Sequence, residues 1–203
     1  MYLFTKRFLD IVISIIGIIF LIPICLVIKF LYILDGDFAS IFYVQKRVGK
    51  NGKIFKLYKF RTMVVNAEKI LSELLNDTNI RLEYESSYKL KNDPRLTRFG
   101  KILRVLSIDE FPQFINVFIG NMSIVGPRPV IPPELEKYGK KKNLILSVKP
   151  GLTGYWVVKG RSNVAYKERV KFEAYYVKHA NIFLDAFIFF KTIILVFIGR
   201  GAA

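Results

Sequence analysis

The sequence predicts an α+β protein, mostly helical, with a membrane helix at its amino-terminal end. Three observations carry that prediction. Residues 11–28 read IVISIIGIIFLIPICLVI, without a single charge. IFYVQKRV (41–48) and KIFKLYKFRTM (53–63) place aromatic and β-branched residues on both sides of Gly49-Lys50-Asn51-Gly52, the pattern of a β-hairpin around an Asn-Gly turn. Stretches 67–76, 97–106 and 166–178 carry helical patterns. At 203 residues the chain can bury one real core and is too short for two domains of ordinary size.

Taken in order, the front end comes first. As a straight helix at about 1.5 Å per residue, residues 11–28 reach roughly 27 Å, barely the hydrocarbon thickness. A cleaved signal peptide fits poorly, because no small-x-small site follows before Lys29. A spanning helix and a re-entrant one, leaving on the side it entered, both stay open. Pro23 removes a backbone donor inside the run and predicts a kink after Ile22. Lys6 and Arg7 before the run and Lys29 after it give no orientation under the positive-inside tendency. Both features favour a re-entrant helix broken at Ile22-Pro23, although Pro is common in spanning helices too. The expected division is a re-entrant membrane segment at 1–35 and a membrane-associated domain at 36–203.

Within that domain, the Lys and Arg of the hairpin read by default as a solvated face. Residues 79–91 are polar and irregular, a predicted loop, and Asn92-Asp93-Pro94 is a turn signal. The tail at 182–199 is nearly all apolar but interrupted by Asp185 and Lys191. Those charges argue against spanning and for an amphipathic helix lying in the interface or packed on the membrane-facing side of the domain.

Charge narrows the partner. With 32 Lys+Arg against 16 Asp+Glu, the net charge is +16, which calls for nucleic acid, anionic lipid headgroups or a phosphorylated substrate. A hydrophobic content of 52% speaks against a nucleic-acid binder and for an anionic membrane surface. The single Cys25 excludes an intrachain disulfide or a Cys-rich zinc site and reads as a small apolar residue in a reducing compartment. The lone His179 builds no metal cluster and reads as structural or exposed.

Against this basic background, residues 107–113 read SIDEFPQ, with Asp109 and Glu110 side by side. One reading is a capping box with Ser107 at the N-cap and Glu110 at N3, its acids favoured by the helix dipole. Pro112 weakens it, because it would fall at the fifth helical position. A helix starting nearer Asp109 or Glu110 puts Pro112 in the first turn and projects the acids from the helix mouth. There they point about 100° apart, suited to separate tasks such as nucleophilic attack and metal or proton handling. A carboxylate at a helix N-terminus also stays ionised, as a nucleophile must. Lys59, Arg61, Arg95, Arg98, Lys101 and Arg104 stand upstream, and Gly126-Pro127-Arg128-Pro129 follows. Pro127 and Pro129 restrict the backbone around Arg128, so its planar fork is presented to a phosphate with little entropy left to lose.

KFRTM (59–63), DPRLTRFGKILR (93–104), SIDEFPQFINVFIGNMSIVGPRP (107–129) and KPGLTG (149–154) resemble the bacterial sugar transferase family. These are the monotopic phosphoglycosyltransferases, and the short undecaprenyl-phosphate sugar-1-phosphate transferases are the nearest in kind. The resemblance runs from KRFLD (6–10) to about Lys191. No multi-spanning domain precedes it in this sequence, so a minimal catalytic form is expected. The resemblance implies transfer of a sugar-1-phosphate from a UDP-sugar to polyprenyl phosphate, with Mg²⁺, at the cytoplasmic face of the bacterial inner membrane, as the first membrane step of surface glycan or glycoconjugate synthesis. By that mapping Asp109 attacks the phosphorus next to the sugar, UMP leaves, and the lipid phosphate displaces the phosphosugar from Asp109. Glu110 assists through the metal or through proton transfer, and the two acids are the implied metal ligands. Arg104 and Arg128 match positions for phosphate and nucleotide, Arg161 matches the Arg of the family's Asn-Gly-Arg, and Lys59, Arg61, Arg95, Pro127 and Pro129 complete the expected phosphate-binding set. Membrane lipids are further partners, nucleic acid is not, and a homo-oligomer is left open.

Three positions depart from the family pattern. Ile22 stands where Ser usually precedes the membrane proline. TGYWVVKGR (153–161) replaces Thr-Gly-x-Ala-Gln-Val-Asn-Gly-Arg, and Glu173 stands where Asp is common. The rival reading is a catalytically silent membrane scaffold of the same fold.

Overall fold

A computed structural model describes residues 1–88, 90–161 and 164–198. It is mostly helical, with a hairpin and a second, two-stranded parallel pair. Helix α1 runs Tyr2–Leu34, well beyond the apolar run, and Pro23 lies inside it with helix on both sides. No breaker occurs on either flank before Asp35-Gly36, which lets the helix absorb Lys6, Arg7 and Lys29.

The burial pattern of α1 is inverted relative to a soluble amphipathic helix. Asp10, Ser14, Gly17, Leu21, Ile28 and Tyr32 form one buried stripe, spaced by three, four or seven residues. Asp10 is only 4% exposed, whereas Phe4, Phe8, Ile16, Ile19, Phe20, Leu26 and Phe30 all lie outward. Asp10 and Ser14 face protein beside Leu21, Ile28 and Tyr32, while the remaining large apolar residues face out, the arrangement expected where hydrocarbon surrounds the outer face. Gly17 is part of the contact: a Cβ there would lie 2.4 Å from the Phe114 ring.

The hairpin follows as predicted, β1 (Phe42–Val48) pairing antiparallel with β2 (Ile54–Phe60) from Phe42↔Phe60 to Val48↔Ile54. Asn51 adopts φ 55° in the connecting turn. Lys46 and Lys56 form the expected solvated face, but Arg47 is buried. Helix α2 (Ala67–Leu74) matches its predicted stretch. The predicted loop at 79–91 is corrected: Thr78–Ser87 is a helix, α3. Asp77 caps it, its carboxylate accepting from the N–H groups of Asn79 and Ile80. Lys137 donates to the carbonyls of Glu85 and Ser86 at its other end.

Helix α4 (Arg98–Val105) is capped by Thr97, whose hydroxyl accepts from Gly100 N–H at 2.9 Å. A 3₁₀ turn at Ile108–Glu110 leads to α5 (Gln113–Phe118) and β3 (Ser123–Val125). After a 3₁₀ stretch at Pro132–Lys141 come α6 (Lys142–Leu146), β4 (Gly151–Thr153), α7 (Tyr155–Val158), α8 (Tyr166–His179) and α9 (Ile182–Phe197). Strands β3 and β4 pair in parallel, Ser123↔Gly151 and Val125↔Thr153. His179 ends α8 exposed, stacked on Tyr175.

Helix α9 packs through Ile188 onto a core of Phe55, Leu57, Val117, Met122, Ile124 and Tyr176. Asp185, which broke the apolar pattern in the sequence, turns inward. Its carboxylate accepts from Lys6 Nζ at 2.7 Å, Tyr2 hydroxyl at 2.8 Å and Tyr176 hydroxyl at 2.7 Å. Phe183, Phe187, Phe190 and Ile194 remain exposed. Gly199, at the end of the predicted tail, lies outside the described residues.

Both ends of α1 are bonded to the rest of the chain. Near its start, Asp10 accepts from Ser123 hydroxyl and Ile124 N–H, and Arg7 donates to the carbonyls of Val117 and Phe118. Near its end, Lys29 donates to the carbonyls of Phe38 and Ala39, and Tyr32 hydroxyl donates to the Arg61 carbonyl. A second core, Leu21, Ile28, Tyr32, Ile41, Phe60 and Leu103, joins the later half of α1 to the hairpin and α4.

Candidate active site

Neither sequence reading of SIDEFPQ survives unchanged. Ser107 does not cap through its side chain. It takes φ 58°, a left-handed conformation that reverses the chain between α4 and the 3₁₀ turn. Asp109 and Glu110 sit on that turn, and the α-helix begins only after Pro112, which occupies the N-cap. Pro112 supplies no N–H, which explains why the tighter turn precedes the helix instead of merging with it.

The two acids differ in environment. The side chain of Asp109 is 11% exposed and that of Glu110 38%. Burial pushes Asp109 above the usual carboxylate range; Lys59 and Arg104 pull it back, and Glu110 pushes it further up. Partial burial would raise Glu110 as well. There the ion pair with Lys59, helped by the fields of Arg128 and Arg161, more than offsets burial and holds it below its usual range. Asp109 sits ahead of α5 in a poorly solvated place, so the helix N-terminus is not what sets its ionisation; burial moves it up and Lys59 and Arg104 move it down.

Lys59 reaches the pair from β2. Its Nζ is 2.8 Å from Glu110 Oε1 and 3.7 Å from Asp109 Oδ2. Strand and dyad are held in register by Asn116 of α5, which sequence reading overlooked. Asn116 is fully buried, accepts from Tyr58 N–H at 3.0 Å and donates to the Lys56 carbonyl at 2.6 Å. A buried Asn facing an open strand backbone is invisible in a single sequence, because its partners lie about sixty residues away.

Arg128 sits on a loop, Gly126–Pro129, pinned at every residue. A Cβ on Gly151 would lie 2.0 Å from Gly126 N and one on Gly126 2.6 Å from the Lys149 carbonyl oxygen, so the chain just after β3 passes the start of β4 this closely only with glycine at both positions. Pro127 carbonyl accepts from Gly151 N–H, Arg128 N–H donates to Glu173, and Pro129 carbonyl accepts from Arg47. Beneath runs a chain of ion pairs, Arg47–Glu134, Glu134–Arg169 and Arg169–Glu173. Burial and the nearby charge of Arg128 bring Arg47 down to about 10, and burial raises Glu173. The Arg128 guanidinium lies 5.5 Å from the ring of Trp156, and its Nε is buried without a partner. Arg161, with φ 53°, donates to the Ser107 hydroxyl.

Among the expected phosphate ligands, Lys59, Arg104, Arg128 and Arg161 thus converge on the dyad. Arg104 also donates to Thr62 hydroxyl at 3.0 Å. Arg61 and Arg95 have partners elsewhere. Arg61 pairs with Asp37 at 2.9 Å, donates to Ser40 carbonyl and stacks on Tyr32, so it ties the end of α1 to the hairpin. Arg95 forms a two-pronged pair with Asp93. Exposed Ile102 and Val105 of α4 and Leu106 at its C-cap stand just before Ser107, so the chain enters the dyad turn from an exposed apolar stretch.

The bacterial sugar transferase profile matches residues 1–199. The chain is 46% identical over 200 residues to the undecaprenyl-phosphate galactose phosphotransferase of Salmonella typhimurium, covering 98% of this chain and 42% of that one. It is 45% identical over 198 residues to an uncharacterized sugar transferase of Haemophilus influenzae, covering 97% of this chain and 42% of that one. It thus spans less than half the length of these two relatives. The exopolysaccharide production protein ExoY of Sinorhizobium fredii is 43% identical over 199 residues, with 98% of this chain and 88% of that one covered. The chain belongs to the bacterial sugar transferase family.

Proposed function

We propose that the chain transfers a sugar-1-phosphate from a UDP-sugar to undecaprenyl phosphate, releasing UMP, at the cytoplasmic face of the bacterial inner membrane. One observation carries the reading. A buried and a more open carboxylate stand side by side among Lys59, Arg104, Arg128 and Arg161, at the edge of an exposed apolar surface. Cations suit a diphosphate donor and a phosphate acceptor, and the apolar surface suits the acceptor's long chain.

In the proposed sequence Asp109 attacks the phosphorus that carries the sugar. A P–O bond to the carboxylate forms, and the bond to the bridging oxygen breaks with its electron pair leaving on UMP. An oxygen of the lipid phosphate then attacks the same phosphorus, and Asp109 leaves as a carboxylate. Arg128, with a pinned backbone, holds phosphate oxygens in both steps, and Arg104 and Arg161 spread the remaining charge. Glu110, kept ionised by Lys59, is available as an acceptor beside the reacting phosphorus.

The residues fit Mg²⁺. Among the described residues no group of three or more His, Cys, Asp and Glu side chains gathers, so a closed cage is absent and the dyad is a sparse donor set. Mg²⁺ binds through one or two carboxylates together with substrate phosphates and waters. Asp109 and Glu110 would hold it, and when bound it supplies positive charge against the repulsion between anionic reactants.

We also propose that α1 is re-entrant, with residues 1–35 in the membrane and the remainder cytoplasmic. Lys6, Arg7 and Asp10 at one end, and Lys29 and Tyr32 at the other, all bond to the same body of protein. In a spanning helix those two ends lie on opposite sides of the hydrocarbon, where a single body of protein on one side cannot bond to both.

The test is UMP release from a panel of UDP-sugars, with and without undecaprenyl phosphate. Release that stops near one equivalent of enzyme without the lipid phosphate, that turns over with it, and that Asp109→Asn lowers by on the order of a thousandfold or more, is expected. Undiminished release by Asp109→Asn would leave only the scaffold reading or a different nucleophile.

A further inference from the structure

We infer that Lys59 is the resident counter-ion of the Asp109–Glu110 pair, and that a divalent cation entering between these carboxylates must displace it. The inference rests on the proposed use of the dyad as metal ligands. Among the described residues Lys59 is the one ion-pair partner of either acid, and its single ammonium spans both, at 2.8 and 3.7 Å. The guanidinium groups of Arg104, Arg128 and Arg161 act on the dyad only through their fields. The ammonium therefore occupies the place where two carboxylates would jointly hold a dication.

Two cations at that place repel each other strongly in a poorly solvated site. One must leave, and Lys59 is built to do so. Its strand is fixed by the two hydrogen bonds of Asn116, but its charge sits on a flexible four-carbon stem. The side chain is 21% exposed, which leaves a path outward to solvent or to the donor's phosphates. Lys59 would thus balance the charge of both carboxylates before a dication binds and become a phosphate ligand once the metal has taken its place. Metal affinity without donor should accordingly be weak, and set by the charge at position 59.

The experiment is a Mn²⁺ titration of the full chain in lipid nanodiscs, without donor, followed by the electron paramagnetic resonance signal of free Mn²⁺. Lys59→Met should bind Mn²⁺ on the order of tenfold more tightly than wild type, and Lys59→Arg, which keeps the charge, should stay near wild type. Equal or weaker binding by Lys59→Met overturns the inference. A second reading needs no variant. Acylation of Lys59 by an amine-reactive reagent, followed by mass spectrometry, should be faster with Mn²⁺ than without, and equal rates also overturn it. UMP release by wild type, measured alongside, separates the two levels. Its absence sinks the proposed function, whereas normal release with unchanged Mn²⁺ affinity sinks the role of Lys59 alone.

Discussion

Asp109 and Glu110 share a turn yet are pushed in opposite directions, Asp109 up by burial and Glu110 down by Lys59. The sign has a consequence for stability. A carboxyl raised in the folded state contributes stability in its neutral form. That contribution is full below the ordinary value of about 3.9 and is lost as pH rises through the raised folded value. Ionised Asp109 is therefore a burden on the fold at neutral pH, and Asp109→Asn, neutral and nearly isosteric, should melt at the same temperature as wild type or higher while losing UMP release. UMP release by wild type should rise with pH through the raised ionisation of Asp109, since only the anion attacks. A clear fall in melting temperature at neutral pH for Asp109→Asn would mean that the carboxylate stabilises the site instead.

At the scale of elements, local signals proved legible and distant ones did not. The hairpin, α2, α4 and α8 follow from pattern and turn residues alone. The α3 helix was hidden because its few apolar residues, Ile80, Leu82 and Tyr84, sit among polar ones and form no strong apolar stripe, and its caps, Asp77 and the distant Lys137, help to hold it. The β3–β4 pair has three residues per strand and joins segments twenty-eight positions apart, Ser123 to Gly151, so no run of alternation announces it. The dyad and Arg128 stood out in the sequence through neighbouring prolines and charge contrast. Asn116, Arg47, Glu134 and Arg169 did not, because their partners are set only by the fold. Helix α1 carries a prediction of its own. With single cysteines introduced at Leu3 and at Asp35 in cells, a membrane-impermeant thiol reagent applied from outside should label neither. Labelling of one of the two from outside would make α1 a spanning helix.

Over the whole molecule, α1 and α9 expose rows of large apolar residues, and so do Ile102 and Val105 of α4 and Leu106 at its C-cap. The polar residues of α1 turn inward, and Lys6 meets Asp185 there. The net charge of +16, read from sequence as a call for an anionic partner, includes four cations gathered at the dyad. The same composition that marks a membrane surface thus also equips a phosphate site, and the two meet where α4 hands the chain to Ser107. Covalent capture tests that union most directly. The protein is mixed with a UDP-sugar labelled in its sugar, in the absence of undecaprenyl phosphate, then quenched, digested and read by mass spectrometry. A phosphosugar on the peptide containing Asp109, absent from Asp109→Asn and discharged by added undecaprenyl phosphate, is the expected result. UMP release without any labelled protein at any time after mixing would contradict it.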